Sequence, residues 1–310
     1  MSEPVTRVAV GRRDEGKRLD RFLHERIPGL SRTRIQTAIR ERVELSWGVR
    51  PRPATPVRGG GEVRIEHRRL AETPIDLGIP ILATGPGWLA VDKPARIPVH
   101  PVNQVLENSL IRMLRRQVGD SALRLVHRLD SETTGVLLVA RDVPTSRRLS
   151  GAFFDGRVHK EYLALVAGDV RPEAGRIDQP IGPARESRVW IRLEAGHGKP
   201  ATTDWRVERR FGVATLLRLF PATGRRHQLR VHLAALGHPI LGDVLYGRTD
   251  SEYLRLVRGE AAARRASGPE RHLLHCARLG FPDPEGGPRI EVEAPLPPDF
   301  LAEAARLASG

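Results

Sequence analysis

Apolar residues in the first seventy positions repeat at helical spacing and then give way to strand-like runs. In RLDRFLHERI they lie three or four positions apart, which predicts an amphipathic helix. The segment RTRIQTAIRER repeats this spacing at Ile35 and Ile39 and predicts a second helix whose arginines face outward. VELSWG and GEVRIEH are typical of short strands. The pattern therefore predicts a small α/β module over residues 1–70.

The remainder of the chain has a different pattern. Residues 71–84 are punctuated by proline and are predicted to be a linker. From residue 85 onward, strand-like runs occur in WLAVDKP, VLLVA, EYLALVAG, RVWIRLE, TTDWRVERRF, ATLLRLFPA and LLHCARLGF. Helical spacing occurs in SLIRMLRRQV, TSRRLSGAFFDG, RHQLRVHLAALG and PDFLAEAARLA. Because several strands follow one another without helices, residues 85–310 are predicted to form an α+β domain with a mixed, largely antiparallel sheet.

The charge of the chain is strongly positive and unevenly distributed. Its net charge is +14, and 17 of the basic residues lie within residues 1–70, against 9 acidic ones. Most of the basic residues are arginine, whose planar guanidinium suits phosphate oxygens and stacks on bases. This distribution indicates a polyanionic partner, most often nucleic acid, with a merely solubilising basic surface as the alternative.

Several classes of protein are disfavoured by composition. The chain has one cysteine, Cys276, so neither a disulfide framework nor a cysteine-based zinc site is expected. No apolar stretch approaches the roughly 18 residues of a membrane-spanning helix. The N-terminus lacks the apolar core of a signal peptide, so we expect a cytoplasmic protein with no membrane association.

One ionisable residue lies where burial would be costly. In LRLVHRLDSETTGVLLVAR, Asp130 stands between two apolar runs and just before a turn of small polar residues. A carboxylate in such a loop can project into a cleft and act as a nucleophile or a base. It can equally be a loop aspartate that accepts backbone N–H groups. The sequence pattern alone leaves both interpretations open.

A second candidate stretch is TGRRHQLRVHLAALGHPILGDVLYG, residues 223–247. On a helix, His227 and Arg230 share one face, where a basic group could meet an anion or a carboxylate. His227 and His232 do not have the i, i+4 spacing of a helical zinc pair, and no cluster of further ligands is evident. A solvated arginine face is the other alternative, while the absence of G-x-S-x-G disfavours a serine hydrolase.

These stretches carry a resemblance to a known family. HRLDSETTG resembles the H-R-L-D-x-x-T-[ST]-G signature of the RluA-type pseudouridine synthases, with Thr134 where serine is usual. VDKPARIPVHP is similar to their D-K-P-x-G-x-x-V-H-P segment, with Arg96 in the glycine position. The segment at 223–247 resembles their T-G-R-[TS]-H-Q segment, with Arg226 replacing a small hydroxyl residue. KEYLALVAG and HLLHCARLGFPDP match two further motifs, so five ordered motifs span about residues 85–300.

The N-terminal module resembles the small RNA-binding domain named S-four after a ribosomal protein. Its helix LSRTRIQTAIRER fits that module well. SWG stands where the module usually has an Asn-Gly turn. The RNA-binding arginines that we expect from the resemblance and the charge are Arg18, Arg32, Arg34, Arg40 and Arg225.

The resemblance implies an enzyme that isomerises uridine to pseudouridine in structured RNA. It makes Asp130 the catalytic aspartate and Arg230 the cation that keeps this carboxylate ionised and aimed. It makes Tyr162 the ring that packs against the target uracil. Arg128 would enter the space left by the flipped nucleotide, and His127 would support the loop.

The resemblance also bears on partners. It implies no cofactor and no metal, because the glycosidic bond is exchanged rather than hydrolysed. The pairing of an RNA-binding module with this catalytic domain is similar to the branch of the family that modifies large-subunit ribosomal RNA. A transfer-RNA synthase and a non-catalytic RNA-binding or ribosome-assembly protein are the alternatives, and we expect a monomer.

Overall fold

A computed structural model describes residues 5–27, 32–66, 72–102, 105–258 and 268–309. By the density of contacts between residues, the chain divides into two compact units, Met1–Glu72 and Thr73–Gly310. Within the described ranges, no helix is both long enough and apolar enough to cross a membrane.

The N-terminal unit packs two helices against a three-stranded antiparallel sheet. Its elements are β1 (Val5–Ala9), α1 (Leu19–Arg26), α2 (Arg32–Arg42), β2 (Val43–Leu45) and β3 (Glu62–Glu66), with a 3-10 turn at Arg12–Asp14. The strand order is β1–β3–β2. The apolar stripes of the two helices are buried in one cluster with β2 and β3. Both predicted helices are therefore confirmed, whereas β1 was not predicted.

The larger unit is built on one extended sheet. The strands of this unit are β4 (Ile81–Gly85), β5 (Trp88–Lys93), β6 (Arg124–Leu125), β7 (Thr134–Ala140), β8 (His159–Ala167), β9 (Ala174–Asp178), β10 (Ile181–Pro183), β11 (Leu193–Ala195), β12 (Thr202–Arg210), β13 (Ala214–Pro221), β14 (Leu274–Phe281) and β15 (Ile290–Glu293). Two of them, β10 and β11, pair with each other in a separate small sheet. Its helices are α3 (Leu110–Val118), α4 (Val143–Phe154), α5 (Gln228–Ala235), α6 (Asp250–Val257) and α7 (Pro298–Ser309).

The main path of the sheet runs β4–β5–β7–β14–β8–β13–β12–β9, with β6 beside β7 and β15 beside β14. Its pairs are antiparallel except β7–β14, which is parallel. The predicted α+β fold with a mixed, largely antiparallel sheet is therefore confirmed. All seven residues of β7 are buried, which explains why its sequence is a continuous apolar run.

A glycine permits the parallel pairing of the two central strands. Gly135 has φ +103°, and a Cβ at this position would overlap the carbonyl oxygen of Cys276 on β14. Only glycine adopts this backbone conformation without strain. Gly135 is the last residue of the HRLDSETTG motif, so the pairing of β7 with β14 begins directly after the loop that carries Asp130.

Two local predictions differ from the structure, and one helix was not predicted. Residues 71–84 were predicted to be a linker, but Ile81–Gly85 forms the sheet-edge strand β4. RVWIRLE was predicted to be a strand, but only Leu193–Ala195 is one. Its earlier part is a turn, in which Ser187 Oγ and the Arg188 N–H donate to the Asp250 carboxylate. Helix α6 was not predicted, although Thr249 and Glu252 form a capping box that marks its start.

Candidate active site

Asp130 lies in the loop between β6 and β7, and its side chain is 19% exposed. A buried lysine anchors the residues that follow it. Lys93 Nζ donates to the carbonyl oxygens of Pro94, Ser131 and Thr133 at 2.8, 2.7 and 2.9 Å. Burial lowers the pKa of Lys93 to about 7, although the negative charge of Asp130 opposes this shift. The lysine of the DKP motif therefore ties strand β5 to the loop that carries Asp130.

A second anchor comes from the segment that directly precedes β14. His272 is buried, and its Nδ1 lies 3.0 Å from Glu132 Oε2, while its Nε2 lies 2.8 Å from Thr133 Oγ1. Arg271 donates from Nη1 to the Glu132 carbonyl oxygen at 3.1 Å. The loop that carries Asp130 is therefore held by β5 on one side and by the residues that precede β14 on the other. Neither Glu132 nor His272 was predicted to take part in the site.

Helix α5 supplies the cation that faces Asp130. Arg230 is 7% exposed, and its Nη1 donates to Asp130 Oδ2 at 3.1 Å. Its Nε and Nη2 donate to the two carboxylate oxygens of Asp243 at 2.6 and 2.9 Å. Asp243 also accepts the backbone N–H groups of Leu245 and Tyr246. Asp243 was not predicted, although a lone carboxylate within the apolar run ILGDVLYG was a signal for it.

The electrostatic setting keeps Asp130 ionised. Burial by itself raises the pKa of this carboxyl. The positive charges that His227, Arg230 and His272 can carry lower the pKa and outweigh the effect of burial, so the pKa of Asp130 lies below its ordinary value. Burial lowers the pKa of His227 to about 4, so His227 is neutral near pH 7. Arg230 is therefore a permanent positive charge beside Asp130, and its own pKa is raised by Asp243 and Asp130 despite burial.

His227 occupies a strained position before α5. It was predicted to lie on the helix with Arg230, but the helix begins at Gln228 and His227 has φ +56°. Its Nδ1 lies 2.8 Å from the Tyr246 hydroxyl, and its Nε2 lies 4.0 Å from Asp130 Oδ1. Gln228 accepts the Arg225 N–H and the Thr223 hydroxyl, which fixes the turn that leads into His227.

The other predicted site residues line the same cleft, a cavity of about 600 Å³. Tyr162 on β8 is 9% exposed, and burial raises its pKa well above 10, so its phenol is neutral. Arg128 is exposed and makes no hydrogen bond or ion pair with any described residue. His127 Nε2 accepts the Leu138 N–H, and burial lowers the pKa of His127 to about 3. Its ring is therefore neutral near pH 7 and is held by the backbone of β7.

The predicted RNA-binding arginines are distributed over both units. Arg225 is exposed, lines the cleft and donates to the Pro200 carbonyl oxygen. Arg40 is exposed on α2. Arg18 is also exposed but makes two 3.1 Å hydrogen bonds to Asp20, so its guanidinium is already engaged. The side chains of two further predicted arginines lie outside the described part of the chain, namely Arg32 and Arg34.

The three departures from the family pattern have different structural settings. Arg96 has φ +65°, which explains why glycine is usual at its position. The Thr134 hydroxyl is buried 2.9 Å from His275 Nδ1, so the hydroxyl that serine would provide is kept. Arg226 is exposed and donates to the Ile191 carbonyl oxygen at 3.3 Å.

The described residues do not contain a group of three or more His, Cys, Asp or Glu side chains that could hold a metal ion. The cleft brings together an ionised carboxylate, a buried guanidinium and a neutral phenol, with arginines at the rim.

Comparisons with known proteins agree with this geometry. Residues 87–235 match the family model described as RNA pseudouridylate synthase. Ribosomal large subunit pseudouridine synthase D of Vibrio parahaemolyticus is 33% identical over 305 residues, which cover 93% of this chain and 90% of the relative. An uncharacterized RNA pseudouridine synthase of Chloroflexus aurantiacus is 36% identical over 294 residues, covering 92% and 88%.

A solved structure gives the same result for the fold. Human RNA pseudouridylate synthase domain containing 4 is 29% identical, with a TM-score of 0.56, and the match covers 74% of this chain and 92% of that chain. The sequence relatives span nearly the whole chain, and the family model spans most of the residues that line the cleft. The chain therefore belongs to the RluA-type RNA pseudouridylate synthases, enzymes that isomerise uridine to pseudouridine in RNA.

Proposed function

We propose that this enzyme modifies uridine in large-subunit ribosomal RNA and that Asp130 is its catalytic carboxylate. A relative named ribosomal large subunit pseudouridine synthase D aligns over 93% of the chain, which supports the choice of RNA. The observation that carries the catalytic assignment is the hydrogen bond from Arg230 to Asp130 inside an open cleft. A cytoplasmic location and a monomeric state belong to the same proposal.

In this proposal, Asp130 acts on the ribose of the bound uridine. It either attacks carbon 1′ as a nucleophile or removes the proton of carbon 2′ to give a glycal. In both routes the bond between carbon 1′ and the uracil nitrogen breaks, and its electron pair leaves with the uracil. The uracil turns and its carbon 5 bonds to carbon 1′. In the first route the bond between Asp130 and carbon 1′ breaks at this step, and in the second the proton returns to carbon 2′. Carbon 5 then loses its proton and the freed uracil nitrogen gains one, so the product is an isomer of the substrate. The bond is exchanged without net oxidation, reduction or hydrolysis, so no cofactor is required.

The neighbouring residues have supporting roles in the proposal. Arg230 keeps Asp130 ionised and aimed, and it pairs a carboxylate whose desolvation would otherwise be costly. Tyr162 packs against the target uracil as a neutral phenol, in keeping with its raised pKa. Arg128 enters the helix stack of the RNA when the nucleotide flips out, and its lack of protein partners among the described residues leaves it available. His127 supports the loop.

Binding outside the cleft is assigned to the N-terminal unit, with Arg40 as a phosphate contact. Each phosphate contact to a single strand contributes about −0.7 to the slope of log affinity against log salt concentration. An Arg40→Ala variant should therefore show a flatter salt dependence of RNA binding. An unchanged slope would remove Arg40 from the RNA interface.

Two experiments test the proposed function. Pseudouridine mapping of total RNA from a wild-type and a gene-deletion strain should show sites lost from large-subunit ribosomal RNA. Sites lost from transfer RNA instead would support the alternative substrate. Release of tritium from carbon-5-labelled uridine in RNA should occur with the wild-type enzyme and disappear with Asp130→Asn. Equal release by both would show that Asp130 is not the catalytic carboxylate.

A further inference from the structure

The last residue of α4 places an aromatic ring in solvent beside the cleft. Phe153 stacks on His127 with ring centroids 4.4 Å apart, whereas the next residue, Phe154, is 92% exposed. Phe154 nevertheless lines the same cavity as Asp130 and Arg128. An exposed phenyl ring forgoes the favourable free energy of burial. Its place at the cleft therefore points to a ligand that covers it when bound.

The surroundings of Phe154 fit RNA. Arg128 lines the same cavity and makes no hydrogen bond or ion pair with a described residue, and Arg225 and Arg226 are exposed on the cleft-lining turn before α5. Guanidinium groups attract phosphates, and a phenyl ring accepts the flat face of any base. An apolar protein surface would not provide negative charge for the exposed arginines that surround this site. The combination therefore favours a nucleotide as the group that covers the ring.

The nucleotide on Phe154 cannot be the one that reacts. Asp130 and Tyr162 are largely buried, whereas Phe154 stands in solvent, so a uracil that reaches the carboxylate has left the exposed ring behind. Flipping also removes one stacking partner from each nucleotide next to the target. We propose that Phe154 stacks on the base of the nucleotide next to the target uridine and so selects RNA in which that neighbour is unpaired. This inference rests on the proposed function.

Kinetics on the RNA identified by mapping test the inference. Loss of one base stack should raise KM about tenfold in Phe154→Ala with kcat little changed, because the stack is present in both the bound substrate and the transition state. Phe154→Tyr, which keeps the ring, should behave as wild type. Phe154→Leu, which is apolar but not aromatic, should resemble the alanine variant. Val213→Ala removes another exposed apolar side chain, on the turn between β12 and β13, and should change nothing.

Abasic substitutions identify the stacked nucleotide. We would replace the base on each side of the target in turn and measure KM for wild type and Phe154→Ala. When the stacked base is the one removed, wild type and Phe154→Ala should have about the same KM, since the abasic RNA already lacks the interaction. An alanine penalty that persists with both abasic RNAs, or no penalty with intact RNA, would overturn the inference and leave another partner for the ring.

Equilibrium RNA binding separates this inference from the proposed function. Fluorescence polarisation on the same intact and abasic RNAs should show about tenfold weaker binding of Phe154→Ala, and only when the neighbouring base is present. If binding depends on Phe154 and the neighbouring base but the wild type forms no pseudouridine, the proposed function is wrong and the stacking inference stands. Pseudouridine formation with binding that ignores Phe154 would do the reverse.

Discussion

Arg230 is bound more tightly to Asp243 than to Asp130. It donates to Asp243 from Nε at 2.6 Å and from Nη2 at 2.9 Å, and to Asp130 once, from Nη1 at 3.1 Å. Asp243 is fully buried and is itself fixed by two backbone N–H groups. The guanidinium is thus positioned by a carboxylate that does not line the cleft, and it presents its remaining edge to the one that does.

Replacing Asp243 should therefore affect both stability and turnover. We expect Asp243→Asn to lower the free energy of unfolding by about 3 kcal/mol, because it leaves a buried guanidinium with one carboxylate instead of two. The kcat should fall at least about tenfold as Arg230 loses its alignment. Urea denaturation and tritium release measure these effects. Asp204→Asn, which breaks an exposed 3.7 Å pair with Arg176, is the matched control and should cost less than about 1 kcal/mol. Equal effects of the two variants would contradict the positioning role of Asp243.

The pH dependence of turnover should change when the cation is removed. The pKa of Asp130 in the folded protein lies below its ordinary value. The ionised carboxylate therefore stabilises the fold at pH values above the ordinary pKa. This contribution to stability is lost as the pH falls through the pKa of the folded protein. Single-turnover rates of the wild type should therefore show no Asp130 titration between pH 5 and 8. In Arg230→Gln, the carboxyl group stays buried but loses the cation that keeps it ionised, so the pKa of Asp130 should rise. The single-turnover rate should then fall at the acid end of this pH range. A profile of Arg230→Gln that stays flat would argue against the electrostatic role.

Loss of the Lys93 ammonium should loosen the loop behind Asp130. Lys93→Met keeps the length of the side chain but removes the donors to three carbonyl oxygens. We expect the free energy of unfolding to fall by about 2–4 kcal/mol, since buried acceptors are left unsatisfied. Lys199→Met, at an exposed lysine, is the control. Indistinguishable denaturation midpoints for the two variants would refute the anchoring role.

The left-handed backbone at Arg96 should reverse the usual order of alanine and glycine. Both substitutions remove the exposed ion pair with Glu270, but only glycine relieves the strain of φ +65°. We expect Arg96→Gly to be more stable than Arg96→Ala by about 1 kcal/mol. At Arg306, inside helix α7, the same two substitutions should show the opposite order, with glycine less stable by about 1 kcal/mol. Thermal unfolding of the four variants measures both differences.

Arg128 should matter most when the target lies in structured RNA. Flipping a paired nucleotide costs a few kcal/mol, and a side chain that fills the vacated space offsets part of this cost. We expect Arg128→Ala to lower kcat/KM on a stem-loop about tenfold or more and to have little effect on a short flexible strand of the same sequence. Equal losses on the two RNAs would exclude the wedge role and leave only general charge attraction.

Local pattern was sufficient for much of the fold. The three- and four-residue spacing of apolar positions predicted α1 and α2, and continuous apolar runs predicted buried strands such as β7. These elements can be predicted because the order of apolar and polar residues along the chain shows which side chains are buried. Asp130 could also be singled out, because an ionisable group between two buried runs needs a partner or a use.

The identity of that partner network was decided by tertiary structure. Arg230 and Asp130 are 100 residues apart in the chain, and Asp243 and His272 lie in two further connecting segments. No periodicity encodes which buried charges meet, because this depends on how β7, β14 and α5 pack together. Residues 188–192 make the same point. Their residue pattern alternates as in a strand, but the Arg188 N–H and the hydroxyl of the preceding Ser187 bond to Asp250, and no strand forms there. Apolar spacing thus determined the elements, and long-range pairing of polar groups determined the site.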